Sequence, residues 1–184
     1  MQKLTGRLEI LYHDHFKEIY RYVYYHVHNP SEAEDVTQDI FVKALQGLST
    51  FEDRASARTW MFTIARRAVV DWSRRAKVRK VVNVDDVPEI IADIDLEGDF
   101  EERERTGILV QALRHLPDTY REVIVLRIIQ GMSIDEVSQI LDWSQSKVKV
   151  TLHRSLKKLR KDLTENRSFI HYIEGGVADG RKAK

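Results

Sequence analysis

The sequence predicts an all-α protein of two small helical domains joined by a flexible acidic linker, the second domain carrying a helix-turn-helix. Three observations predict it. Apolar residues recur at helical spacing through every strongly patterned stretch. Midway along the 184 residues an acid-rich segment with Pro88 and Gly98 breaks that pattern. From Ser133 to Lys161, two amphipathic stretches with helix-start signals flank a break of about three residues.

Residues 5–28 read as one amphipathic helix, interrupted near His13–His15, with Leu8, Leu11, Tyr12, Phe16, Ile19, Tyr20, Val23, Tyr24 and Val27 at helical spacing. The pairs His13/His15 and His26/His28 suggest metal ligands. Residues two apart on a helix face nearly opposite ways, however, so neither pair forms a shared site. Asn29-Pro30-Ser31 then starts a second helix, with Ser31 and Glu34 spaced as a capping box. Its expected buried stripe is Ala33, Val36, Ile40, Ala44 and Leu45. The opposite face carries Glu34, Asp35, Gln38, Asp39, Val42 and Gln46. Acids near a helix start favour the dipole, but that does not explain an exposed Val42 beside Asp39. An acidic face with one apolar contact point suits docking onto a basic partner.

After the mixed-charge loop GLSTFEDRASAR comes the helix TWMFTIARRAVVDWSRRAKVRK. Met61, Ile64, Ala65, Ala68 and Trp72 share one face. Trp60, Thr63, Arg67, Val70, Asp71 and Arg74 share the other, with Arg66 and Arg75 at its edges. Rings and guanidinium groups on one exposed face suit single-stranded nucleic acid, the ring stacking on bases and the cation meeting phosphate. Trp72 reads as a core residue, whereas Trp60 fits either the core or this face. The boundaries follow as a first domain over 1–77 and a linker over 78–104.

From Val82 to Glu104 the linker holds ten acids against one arginine, too charged to pack as core. The second domain, 105–164, opens with a helix to Leu116. A further helix starts at Pro117-Asp118 and stops at Gly131, a residue suited to the C′ position. In the helix-turn-helix, Ser133 and Glu136 form a capping box and Ser144 caps the second helix. That helix has the apolar stripe Val148, Leu152, Leu156 and Leu159. Its outward face carries Ser146, Val150, His153, Arg154, Lys157 and Lys161, flanked by Lys147 and Lys149. Ser144 to Lys161 contains seven Lys or Arg and no acid. Such a face offers phosphate contacts at its rim and base contacts at its centre, where Val150 could meet a thymine methyl. The tail 165–184 reads as disordered.

The net charge is only +1, so basic character is local. With no cysteine there is no disulfide framework and no thiolate metal site. No run approaches the roughly 20 apolar residues of a membrane span, and the first residues lack a signal-peptide core. The expectation is a cytoplasmic protein without direct membrane insertion, with no catalytic centre, cofactor or metal.

Four stretches, AEDVTQDIFVKAL, FEDRASARTWMFTIARRAVVDWSRR, LPDTYREVIVLRIIQGMSIDEVSQIL and SQSKVKVTLHRSLKKLRK, occur in this order over roughly residues 8–163. Together with the acidic linker they resemble the extracytoplasmic-function (group IV) sigma factors of bacterial RNA polymerase, in the sigma-70 family. The resemblance implies that Glu34, Asp35, Gln38, Asp39 and Val42 dock on the β′ clamp helices of core polymerase. It implies that Arg54, Ser56, Arg58, Trp60, Thr63, Arg66, Arg67, Asp71, Arg74 and Arg75 read and open the promoter −10 element. It implies −35 contacts from Arg121, Ser146, Lys147, Lys149, Val150, Thr151, His153, Arg154 and Lys157, with the β flap a further polymerase contact and an anti-sigma factor a further partner. Where many members carry Asn after Ile-Ala-x, this chain has Arg67, so their −10 preference does not carry over. A stand-alone helix-turn-helix regulator would share the second domain. It would leave the basic-aromatic helix and the acidic face without a role.

Overall fold

The computed structural model describes residues 2–49, 51, 56–82 and 109–165. Its elements are the helices α1 (Gln2–Val27), α2 (Pro30–Gly47), α3 (Ala57–Val82), α4 (109–114 of the described residues), α5 (Asp118–Ile124), α6 (Ile134–Leu141) and α7 (Gln145–Glu165). A five-residue π turn, Val125–Ile129, continues α5. No strand occurs among the described residues.

α1, α2 and α3 pack pairwise into the first unit. Ile19, Tyr22 and Val23 of α1 meet Ala33, Ile40 and Ala44 of α2 and Met61, Phe62 and Ala65 of α3 in a fully buried core. The Tyr22 and Phe62 rings meet edge to face at 5.4 Å, an arrangement favoured by ring quadrupoles. α1 runs unbroken through His13–His15, where an interruption was expected; Leu11, Phe16 and Ile19 keep its inner stripe continuous across that point. The start of α2 also differs from expectation. Asn29 is its cap, accepting from the Glu32 N–H at 3.0 Å, and Pro30 takes the first turn. Proline at that position loses no helical hydrogen bond, so the Ser31–Glu34 box is displaced by one set earlier in the chain.

Ser56 caps α3, its hydroxyl accepting from the Thr59 N–H at 3.1 Å. α3 continues to Val82, past the linker start expected at 78. The rest of that linker (83–104) and the tail after 165 lie outside the described residues.

In the second unit α7 packs on α5 and α6 around Val123, Leu126, Met132, Val137 and Val148. Gly131, at φ +66°, turns the chain out of the π turn, a backbone conformation glycine adopts without Cβ strain. The Ser133–Glu136 capping box is present in both directions. Asp142, at φ 54°, makes the left-handed step between α6 and α7. Ser138 donates to the Trp143 carbonyl at 2.6 Å, and Asp135 accepts from Gln145 at 3.1 Å. These two contacts tie α6 to the start of α7 and fix their crossing.

The two units also touch. α3 packs against α6, and α1 meets α5 and the π turn.

Candidate nucleic-acid and polymerase-docking surfaces

The basic face of α7 stands clear of the core. Ser146, Lys147, Lys149, Val150, His153, Arg154 and Lys157 are exposed, and Thr151 is half-buried. Val150 is 50 % exposed, an apolar side chain in the middle of a cationic strip. Ser144 accepts from the Lys147 N–H at 3.2 Å, so the cap fixes where the outward face begins. Lys147 lies 4.0 Å above the Trp143 ring, a cation–π contact that holds its ammonium at the turn. The inward stripe is Val148, Leu152, Ser155 and Leu159. Ser155 is fully buried and donates to the Leu152 carbonyl at 2.9 Å. Leu156, expected on that stripe, is 40 % exposed. The positions 148, 152, 155 and 159 keep closer to the 3.6-residue turn, which rotates 156 outward.

Arg121 occupies a different place from the rest of its group. It is buried, and its guanidinium donates to the carbonyls of Leu113, Arg114 and Leu116 at 2.8, 3.0 and 3.0 Å. Those carbonyls close the end of α4. In this arrangement Arg121 joins α4 to α5 and does not lie on the outward face of α7.

On α3, Trp60 is half-buried and its ring meets the Phe51 ring at a tilt of 34°, with centroids 4.6 Å apart. Thr63 donates to the Thr59 carbonyl at 2.9 Å. Arg67, Asp71, Arg74 and Arg75 are exposed; Arg74 lies 3.7 Å from Asp71, and Arg75 donates to the Asp71 carbonyl. Ser56 is exposed at the cap, and Arg54 lies outside the described residues. Arg58 and Arg66 face the second unit. Arg58 donates to Glu18 at 2.9 Å and to the Gln130 carbonyl at 2.6 Å, and Arg66 donates to Glu122 at 2.9 Å.

The α2 face matches the expected pattern. Glu34, Asp35, Gln38 and Asp39 are exposed, with Val42 at 54 %. Leu45, expected inside, is 43 % exposed, so apolar surface beside Val42 is larger than the sequence indicated. An open groove of about 710 Å³ runs between α2 and α3. It brings Asp35 and Asp39 together with Trp72, Arg74 and Arg75, and so sets the acidic and basic faces side by side. Trp72 is half-buried there and donates to Glu32 at 2.8 Å. That bond, which joins the two faces across 40 positions, has no signature in local spacing.

His13, His15 and His26 have other partners. His13 bonds Asp14, His15 bonds Glu18 at 2.6 Å, and His26 is buried with Nδ1 on the Tyr22 carbonyl at 2.8 Å. Burial holds the His26 pKa down at about 4. Among the described residues no group of three or more His, Cys, Asp or Glu converges to hold a metal. No described helix is long and apolar enough to cross a membrane.

Two family models divide the chain where the geometry does. Sigma-70 region 2 matches residues 11–79, and Sigma-70 region 4 matches residues 106–159. The chain is 35% identical over 168 residues to the RNA polymerase sigma factor YlaC of Bacillus subtilis, covering 90% of this chain and 96% of that one. The chain belongs to the extracytoplasmic-function sigma factors of the sigma-70 family. It is 34% identical to the sigma factor SigX of Bacillus subtilis, over 84% of this chain and 82% of SigX. The fold is also that of the sigma factor RpoE of Bartonella quintana, solved with the anti-sigma factor NepR. That structure superposes with a TM-score of 0.72 at 20% identity over 91% of this chain and 100% of that chain. The sigma factor is thus an alternative specificity subunit of RNA polymerase, acting at transcription initiation. The helix-turn-helix on its own accounts for only one of the two matched regions.

Proposed function

We propose that the three exposed faces divide the work of promoter-specific initiation. The α7 face enters the major groove of the −35 element, with Lys149, Val150, His153 and Arg154 toward base edges and Lys147 and Lys157 toward phosphate. The α3 face, with Trp60, Thr63, Arg67, Arg74 and Arg75, takes the −10 element as it opens. The α2 face, with Glu34, Asp35, Gln38, Asp39 and Val42, docks on a basic surface of core polymerase, the β′ clamp helices. The second unit lies beside the β flap. The observation that carries this reading is the α7 face, a capped helix whose outward residues are all exposed and free of acids until Asp162. Such a surface offers several counterion-releasing contacts within one groove width.

RpoE was solved with an anti-sigma factor and CnrH with the cytosolic domain of CnrY. By the same reading this sigma factor works in the cytoplasm and is held there by an anti-sigma factor of its own.

A gel-shift titration at fixed salt tests the whole assignment. Free protein should bind promoter DNA weakly, and core polymerase should make the binding tight. Asp39→Arg should abolish that gain by setting a cation against a basic partner surface. Specific nanomolar binding by the protein alone, unchanged by polymerase, would instead favour a stand-alone helix-turn-helix regulator.

A further inference from the structure

The turn of the helix-turn-helix holds an aromatic side chain that none of the proposed faces uses. Trp143 lies between the left-handed step at Asp142 and the cap at Ser144. One residue of α6 fixes its backbone on both sides. Its N–H donates to the Ser138 carbonyl at 3.0 Å, and its carbonyl accepts from the Ser138 hydroxyl at 2.6 Å. The indole is half-buried and packs against the core, while the exposed Lys147 carries its ammonium 4.0 Å from the ring centroid. Lys147 is therefore held at both ends, its N–H by the Ser144 hydroxyl at 3.2 Å and its ammonium by the ring. The other cations assigned to this face differ. Lys149, Arg154 and Lys157 are exposed and make no hydrogen bond, ion pair or ring contact among the described residues.

We propose that Trp143 is a positioning residue for DNA binding, presetting the Lys147 ammonium for a phosphate beside the major groove and so fixing where α7 seats. The inference rests on the reading of α7 as the −35 helix and adds a residue that acts on DNA through Lys147. Lys147 lies one turn before Val150 and two before Arg154, on the same side of α7. It is the first cation of the helix, at the end that leads into the groove in helix-turn-helix proteins. Ordering a lysine costs more rotamer freedom than ordering most side chains, and a contact ordered before binding gains affinity. The nature of the partner matters as much as its place. A ring attracts the ammonium through its quadrupole and leaves the N–H donors to a phosphate. A carboxylate at the same point would hold the lysine but cancel the charge that DNA needs. Phosphate contacts set register and orientation, so a fixed ammonium at the helix start would align Val150 and Arg154 with the base edges.

The test is a double-mutant cycle on the full chain assembled with core polymerase. The probe is a promoter duplex found by sequencing that holoenzyme's transcripts from genomic DNA, titrated at several salt concentrations. Trp143→Leu removes the ring and keeps the charge. Affinity should fall about two- to fivefold, the worth of an exposed cation–π contact, with the salt slope unchanged. Lys147→Met should weaken binding and lower the salt slope by about one. Adding Trp143→Leu to Lys147→Met should cost nothing further, and Trp143→Phe, which keeps a ring, should retain part of the affinity that Trp143→Leu loses. In the free chain, the ε-methylene protons of Lys147 should resonate upfield of those of Lys149 through the ring current, and return in Trp143→Leu. Should Trp143→Leu fail to fold by circular dichroism, Trp143→Met takes its place in the cycle. Losses that add in the double variant would show Trp143 acting through the fold or touching DNA itself, and would overturn the inference, as would an unshifted Lys147. Lys147→Met without effect would overturn it alone where Arg154→Ala still weakens binding, and together with the reading of α7 where Arg154→Ala does not.

Discussion

Replacing Arg121 by alanine separates a structural role from a DNA-contacting one. The guanidinium is 8% exposed and donates to three carbonyls at the end of α4. Truncation removes that donor from the Arg114 and Leu116 carbonyls, while Leu113 still accepts from the Leu116 N–H at 3.1 Å, and each buried group left unpaired costs about 1–3 kcal/mol. Leu113 and Leu116 are buried whereas Arg114 is half-buried, so water can reach part of the vacated site. A total near 2–4 kcal/mol of unfolding free energy is expected, in the range of a broken buried network. Arg121→Lys should recover little, because one ammonium cannot span three carbonyls that a planar fork reaches together. The assay is denaturant unfolding of the full chain, paired with −35 binding measured under conditions where the variant stays folded. A stability change below about 0.5 kcal/mol, with a large fall in DNA affinity and salt dependence, would refute this account and return Arg121 to the DNA-contacting set.

Lys149→Ala and Arg154→Ala should each weaken −35 use by about 1–3 kcal/mol if the side chain meets a base; unchanged promoter activity in both would remove α7 from that role. Ser155→Leu should destabilise the second unit by about 1–3 kcal/mol through overpacking, because Ser155 is fully buried; chemical unfolding measures it. Trp60→Ala should impair opening more than initial binding, with a lost stacking contact worth roughly 1–3 kcal/mol, and full permanganate reactivity of −10 thymines in the variant would count against it. His26 is held near pKa 4 against an ordinary 6.5, so the unfolded chain takes up its proton first as pH falls. Its contribution is intact above about pH 6.5 and declines toward pH 4 by up to about 3 kcal/mol; unfolding curves across that window should be flatter for His26→Gln than for wild type.

Local patterning made the helices legible, and it was least informative where partners come from far along the chain. The Ser133–Glu136 box, the Ser144 cap and Gly131 all act within four residues, and each stands where its spacing put it. The exposed acids of α2 followed from period alone. Two readings went wrong within one turn. Asn29 is as good a cap as Ser31, and Pro30 decides between them by favouring the first turn. Leu156 and Leu45 fall at the margin of their stripes, where a few degrees of helix rotation change burial. Arg121 has partners that its pattern did not announce. Its partners are the carbonyls of a preceding helix end, and nothing in residue type or periodicity distinguishes a guanidinium that closes a helix from one that meets DNA. The Arg66–Glu122 and Trp72–Glu32 contacts span 56 and 40 positions, and no spacing rule reaches so far.

The charge distribution explains why assembly, and not either unit alone, should set affinity. The chain is nearly neutral at +1, yet Ser144 to Lys161 alone carries seven cations. The balancing acids lie on α2 and in the segment between the units, so a free molecule presents both signs to DNA. Each DNA face is one helix wide, and joining two weak contacts gains affinity only when their separation matches the target. On the proposed docking, Asp35, Gln38 and Asp39 would cover part of the acidic surface and fix that separation in the same step. Glu32 would connect this event to the proposed promoter face, since it lies one turn before Asp35 on α2 and accepts from Trp72 of α3. On that proposal, polymerase binding on one side of the groove would be mechanically joined to the helix that lines the other.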